Sequence, residues 1–267
     1  MAYGVGMAVD KSTNQSVEKA LALLECFQDG RARRVGELAE DTGIGQSTVS
    51  RLLATLESAG IVERDASSSL YFLGSELLTL AGVAINRQPV HRAARMIAQQ
   101  LAARLELGVN VAILRGAELV YLCNFEGRLS PKSHTLMGER VPLHATSIGK
   151  AVLSGMSPAE RDAITPRLRA YTTETITNRR DLVRALSLAA REGYATEIEE
   201  FVLGRASVAA PIRDRNGVVV AAISISGPRT VVDLDTRRGE LGRIAVEAAD
   251  RISTGLGFHG PAEPSER

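Results

Sequence analysis

A carboxamide, three hydroxyls and a guanidinium crowd one short stretch of the chain, at Gln46, Ser47, Thr48, Ser50 and Arg51. Such groups do their chemistry by hydrogen bonding to planar edges and anions. A glutamine pairs bidentately with adenine, an arginine with guanine or phosphate, and small hydroxyls suit phosphate or the thymine methyl. Upstream, Arg31, Arg33 and Arg34 form a local cationic cluster. It is placed either to meet backbone phosphates or simply to be a solvated loop. The groups that would break covalent bonds are not arranged for it. His91, His134, His144 and His259 form no HExxH pair, and no serine stands in GxSxG. Ile148-Gly149-Lys150-Ala151 lacks the upstream glycine and the following Ser/Thr of a phosphate-binding loop. Cys26 and Cys123 belong to no metal or redox spacing, so both read as free buried thiols. No catalytic residue, metal or cofactor is expected, and His144 reads as capping or packing.

The elements that must hold the polar stretch are legible around it. Glu37-Leu38-Ala39 through Leu52-Leu53 reads as two helices, about 35–41 and 46–58, joined by a tight turn. Ala39 is small enough to let the second helix cross closely, Gly43 can take the positive φ of the turn, and Val49 is a branched apolar contact facing back. The spacing is that of a helix-turn-helix, whose second helix puts its first turns into the major groove. Ser16 is expected to cap an earlier helix to about Phe27, with Val17, Ala20, Leu21, Leu24 and Phe27 as its apolar stripe. Strands at 61–64 and 70–73 around Asp65-Ala66-Ser67-Ser68-Ser69 read as a wing. With no cation at its tip, the wing is not expected to grip the minor groove.

Bulk charge does not argue for nucleic acid. The whole chain carries +1, and through residue 74 seven basic side chains face ten acidic ones, a net of −3. The placement of charge must carry a DNA reading, and the acidic balance leaves open a ligand-binding module whose N-terminal domain binds protein instead.

A helix from Ser75 to about Arg87 is apolar around most of its circumference, through Leu77, Leu78, Leu80, Ala81, Val83, Ala84 and Ile85. Such a linker helix needs partners on several sides and is expected to make a dimer contact. The domains read as 1–14 disordered, 15–74 winged helix-turn-helix, 75–88 linker, 89–256 a second domain and 257–267 a flexible tail. In the second domain, helices are expected at 90–106, 146–154, 181–192 and 233–253. A hairpin is expected around Arg115-Gly116-Ala117, and strands at 207–212 and 218–226 joined through Asn216-Gly217. Adjacent strands in tight turns imply an α+β fold with an antiparallel sheet flanked by helices. No apolar run nears the roughly 20 residues of a membrane span, and the first residues lack a signal-peptide pattern, so a cytoplasmic protein is expected.

These stretches resemble the IclR family of bacterial transcription regulators. The resemblance lies in Ser16 to Leu24, the helix-turn-helix, Pro142-Leu143-His144-Ala145-Thr146-Ser147-Ile148-Gly149-Lys150-Ala151, Val208-Ala209-Ala210-Pro211-Ile212, and Ala221 to Pro228. It implies a GAF-like effector domain, binding of palindromic operators as dimers or dimers of dimers, and repression more often than activation. Its effectors are mostly small organic acids and aromatic compounds. The pocket positions it implies are Val141, Ser147, Ile148, Glu197, Arg205, Ser207, Ser224 and Ser226. Arg205 and Glu197 depart from the aliphatic residue and aspartate common there. Arg205 either clamps a carboxylate or pairs with Glu197 or Glu200 across the pocket mouth.

Overall fold

The computed structural model describes residues 14–130 and 136–260. The chain divides into two compact units, Met1–Ile85 and Asn86–Arg267. The disordered start expected at 1–14 falls outside the described residues except for Asn14. The tail expected at 257–267 is described only to residue 260, and His134 also lies outside.

The first unit opens with α1 (Gln15–Glu25), α2 (Val35–Thr42) and α3 (Gln46–Ser58). Asn14, not Ser16, caps α1: its side chain accepts from the Ser16 amide at 3.0 Å. Of the expected apolar stripe, Phe27 is buried and Leu24 packs against the core, but Val17 and Leu21 are exposed and Leu23, outside that stripe, is wholly buried. Packing of α1 on α3 turns Leu23 inward in their place. Gly43 ends α2 at φ +69°, the left-handed turn that a side chain would strain. Leu38, Val49 and Leu53 are wholly buried with Leu23 and Val62.

The wing is β1 (Val62–Arg64) paired antiparallel with β2 (Tyr71–Leu73). Arg33 extends it, exchanging two 2.8 Å backbone hydrogen bonds with Tyr71. The wing is thus tied back to the loop that enters α2. The linker helix α4 (Glu76–Arg87) buries none of its residues, and Leu78, Leu80 and Val83 are largely exposed.

The second unit runs α5 (Pro89–Leu105), β3 (Gly108–Arg115), β4 (Glu118–Phe125), β5 (Arg140–Val141), α6 (Ser147–Ser154), α7 (Pro158–Ile164), α8 (Arg179–Glu192), β6 (Ala195–Ile198), β7 (Arg205–Arg213), β8 (Val219–Pro228), α9 (Arg229–Val232) and α10 (Leu234–Gly255). The six strands form one antiparallel sheet in the order β5-β4-β3-β8-β7-β6. The elements β5, α7, β6 and α9 were not expected. They have two to seven residues each, too short for a periodic signal.

The two faces of the sheet differ in side-chain size. Val109, Val111, Ile113, Val208, Ile212, Ile223 and Ile225 pack on one face, against α5 and α10. The alternate positions are Asn110, Ala112, Ser207, Ala209, Ala222, Ser224 and Ser226, and these face α6. Along the middle of β3, β7 and β8, period-2 alternation therefore puts larger apolar groups on one side and small or polar groups on the other, while Leu119, Tyr121 and Val141 of β4 and β5 supply bulk on the α6 side. A helix laid over small side chains leaves room between them, and the site lies there.

Candidate functional sites

In the first unit, α3 buries Val49 and Leu53 and packs Leu52 and Leu56 against the same core, so its polar residues are turned outward. Gln46, Ser47, Ser50 and Arg51 are exposed and Thr48 is half-buried. The expected reading face is therefore on the surface. The arginine cluster splits. All three nitrogens of the Arg33 guanidinium are engaged internally, with the Cys26 carbonyl at 2.9 Å, Asp29 at 2.7 Å and Asp41 at 2.9 Å. Arg33 thus braces the end of α1 against α2 and is not poised for a phosphate, which corrects that expectation. Arg31 and Arg34 are exposed. At the wing tip Asp65 accepts from the Ser67 amide and from the Ser67 and Ser68 hydroxyls, within 2.8 Å. These bonds, led by that of Ser68, hold its carboxyl down to about 2. The tip is a closed anionic turn.

In the second unit, a cavity of about 440 Å³ opens between the small-residue face and the start of α6. Thr146 caps α6, accepting from the Gly149 amide at 3.0 Å. His144 packs instead, with Nε2 2.9 Å from the Arg169 carbonyl and its ring 5.9 Å from Tyr171. Gly149 permits the close seat of this helix, since a Cβ there would lie 2.1 Å from the Leu143 carbonyl oxygen. Seven of the eight expected pocket residues line the cavity: Val141, Ser147, Ile148, Arg205, Ser207, Ser224 and Ser226. Glu197 stands behind them. Its carboxylate accepts from the Ser207 hydroxyl at 2.9 Å and the Glu200 amide at 2.8 Å. Burial pushes its pKa up, against the lowering effect of those hydrogen bonds and of Lys150.

Arg205 pairs with neither glutamate. Its Nη2 donates to Ser130 Oγ at 3.0 Å, and the rest of its guanidinium makes no hydrogen bond among the described residues. Glu200 is taken by Lys150 of α6 in a buried ion pair, and its second carboxylate oxygen is buried without a hydrogen-bond partner among the described residues. The expected alternative of an Arg205–glutamate pair is thus corrected: both carboxylates already have nearer partners.

Sequence reasoning missed Asn110, Tyr121, Leu136, Glu139, Thr146, Phe201, Val202 and Ala206 in the lining. Asn110 and Tyr121 had a usable signal, as polar-bearing residues inside otherwise apolar strands. Phe201 and Val202 come from the loop after β6, where no periodicity operates. Tyr121 is nine-tenths buried, and desolvation raises its pKa so that the phenol stays protonated.

Family comparison decides the class. The IclR helix-turn-helix domain matches residues 16–66, and the bacterial transcriptional regulator IclR C-terminal domain matches 82–254. This chain belongs to the IclR family. It is 32% identical to the HTH-type transcriptional repressor AllR of Escherichia coli K12 over 249 residues, 91% of either chain. It is 29% identical to the HTH-type transcriptional regulator XynR of the same organism, over 91% of this chain and 98% of that one. An IclR homolog from Microbacterium hydrocarbonoxydans, solved with 4-hydroxybenzoate, superposes with a TM-score of 0.78 at 26% identity, covering 91% of this chain and 99% of that one. The chain is accordingly a transcription regulator that binds DNA through its helix-turn-helix and a small molecule in its C-terminal domain. A protein-binding N-terminal unit, which the acidic balance had left open, gives way to this match. No described helix is long and apolar enough to cross a membrane.

Proposed function

We propose that the chain is a repressor acting in the cytoplasm, without catalysis of its own, whose grip on a palindromic operator is set by a small organic acid or aromatic metabolite. Gln46, Ser47, Thr48, Ser50 and Arg51 read base edges, while Arg31 and Arg34 take phosphates. Two copies join through the exposed apolar faces of α4, because a palindrome demands a two-fold reader. The effector sits against Val141, Ile148, Ser147, Ser207, Ser224 and Ser226, with Glu197 behind and Arg205 as the carboxylate clamp. The observation that carries this reading is the Arg205 guanidinium, lining the cavity with hydrogen-bonding capacity left after Ser130. The relative bound to 4-hydroxybenzoate supports an acid.

A gel shift on the DNA upstream of the chain's own coding sequence tests the reading. Sequence-dependent binding that weakens steeply with salt is expected, as for several phosphate contacts. Absence of any sequence preference at low salt, with and without candidate acids, would refute it. Calorimetry on Arg205→Ala tests the clamp; unchanged carboxylate affinity removes Arg205 from the site.

A further inference from the structure

Two hydrogen-bond chains reach the cavity, the first with its direction fixed by a backbone amide and the second by the ionised Glu197 carboxylate. The first starts at a backbone amide. The Leu136 N–H donates to Asn124 Oδ1 at 3.2 Å, which leaves Asn124 Nδ2 to donate to Asn110 Oδ1 at 2.8 Å. Asn110 Nδ2 then donates to Ser226 Oγ at 3.1 Å and reaches Ser224 Oγ at 3.5 Å. A backbone N–H cannot accept, so neither amide can be reversed without losing a bond. Both serines thus have a lone pair engaged, and their protons are committed to no protein group among the described residues. They stand in the cavity as donors, and Arg205 adds more donors to the same lining.

The second chain starts at a carboxylate. Glu197 accepts from the Glu200 amide and from Ser207. Ser207 has one proton, given to Glu197, so Ser147 must supply the proton of the 2.7 Å Ser147–Ser207 contact. Ser147 is left with lone pairs alone and stands in the cavity as an acceptor. Ser207, the middle link of the second chain, is directly opposed to Ser226 across the β7–β8 ladder, roughly 5 Å away at Cβ.

We infer that the effector is a hydroxy acid, whose carboxylate takes the donors at Ser224, Ser226 and Arg205 and whose hydroxyl donates to Ser147. The Leu136–Asn124–Asn110 chain and the Glu197–Ser207–Ser147 chain set this polarity. An oxo acid of the same shape brings a second acceptor to Ser147 and leaves its lone pairs facing another lone pair. A site built around a substrate hydroxyl discriminates strongly against analogues lacking it. This inference rests on the ligand-binding reading of the cavity given above.

Calorimetry on the full chain, without DNA, compares mandelate with phenylglyoxylate and 3-hydroxybenzoate with 3-formylbenzoate. The hydroxy member of at least one pair is expected to bind about tenfold tighter or more, the cost of one mismatched buried hydrogen bond. Glu197→Gln is expected to reverse the preference. Its carbonyl keeps the Glu200 amide, its NH2 donates to Ser207, and the serine protons then run toward the cavity. Ser147→Ala, a smaller change should the glutamine variant not fold, is expected to bring the ratio near one while the acids still bind. Equal affinity for both members in the wild type, a preference for the oxo member, a hydroxy preference that survives Ser147→Ala, or no binding of any of the four acids overturns the inference. Acids that release the operator without discriminating sink the inference and leave the regulator standing. Acids that bind with the preference but never alter operator binding do the reverse.

Discussion

The two units of this chain place their functional groups on opposite sides of the same packing rule. In the helix-turn-helix unit, Leu38, Val49 and Leu53 fill the interior and the polar groups of α3 are left outside. In the effector unit, the polar groups are inside. Asn110, Glu197, Ser207, Ser224 and Ser226 on the sheet and Ser147 at the start of α6 are all buried. An exposed reading face costs little to maintain, because water satisfies it until a partner arrives. A buried one must be satisfied by protein, because an unpaired buried polar group costs about 1–3 kcal/mol. The effector unit answers this need with directed hydrogen-bond chains, and those chains constrain the ligand in a way that an exposed face does not.

That contrast can be broken most severely at the buried ion pair. Lys150→Ala strands the Glu200 carboxylate, and a loss of about 3–5 kcal/mol of effector-unit stability is expected in thermal or denaturant melts. Replacing both partners, Lys150→Met with Glu200→Leu, is expected to recover most of it. If the double variant is no better than the single, the pair does more than neutralise itself.

Leu53→Ala comes next. It opens a cavity under α3 and is expected to cost about 2–4 kcal/mol in the first unit. Operator affinity should fall with it, while acid binding measured by calorimetry is unchanged.

The surface face is expected to respond more mildly and in a different observable. Gln46→Ala or Arg51→Ala should cost about 1–3 kcal/mol of binding and relax base preference in a gel-shift competition. Arg31→Ala and Arg34→Ala should weaken all sequences alike and flatten the salt dependence, by about one unit of log–log slope each. Arg33→Ala should instead lower the melting temperature, since its guanidinium holds Cys26, Asp29 and Asp41 together. A salt-slope change at Arg33 as large as that at Arg31 would contradict its bracing role.

The smallest effect expected is at the wing tip. The Asp65 carboxyl is held at about 2, below its usual 3.8, by Ser68 and Ser67. A depressed carboxyl stabilises the fold above its unfolded pKa and loses that contribution as pH falls through the folded value. The turn should therefore persist at pH 4 and loosen toward pH 2, seen as faster exchange of the Ser67 amide by NMR. Asp65→Ala should show the loosened turn already at neutral pH.

Much of this was legible beforehand, and the rest was not for identifiable reasons. Gly43, Ala39 and Val49 announced the helix-turn-helix because local geometry alone demands those residue types there. Asn216-Gly217 likewise announced a turn. The face of α1 was read only in part: Leu24 and Phe27 turn inward as expected, but Val17 and Leu21 satisfy the helical period too, and only the partner helix puts Leu23 inside and leaves them out. Arg33 looked like its neighbours Arg31 and Arg34 until the folded chain brought Asp41 within 2.9 Å of it.

The sequence by itself determined the helix-turn-helix, the polar residues that α3 exposes and the strands whose alternation sets aside one face of the sheet. These follow from spacing along the chain, which folding does not alter. Tertiary structure alone decided which charges are used up internally and which remain for a ligand. Glu200 went to Lys150 and Glu197 to Ser207, so Arg205 kept donors for the cavity. The partners in these contacts are 10 to 75 positions apart in the chain, and only β6–β7 pairing, the seating of α6 on the sheet and the approach of Ser130 to β7 bring them within hydrogen-bonding reach.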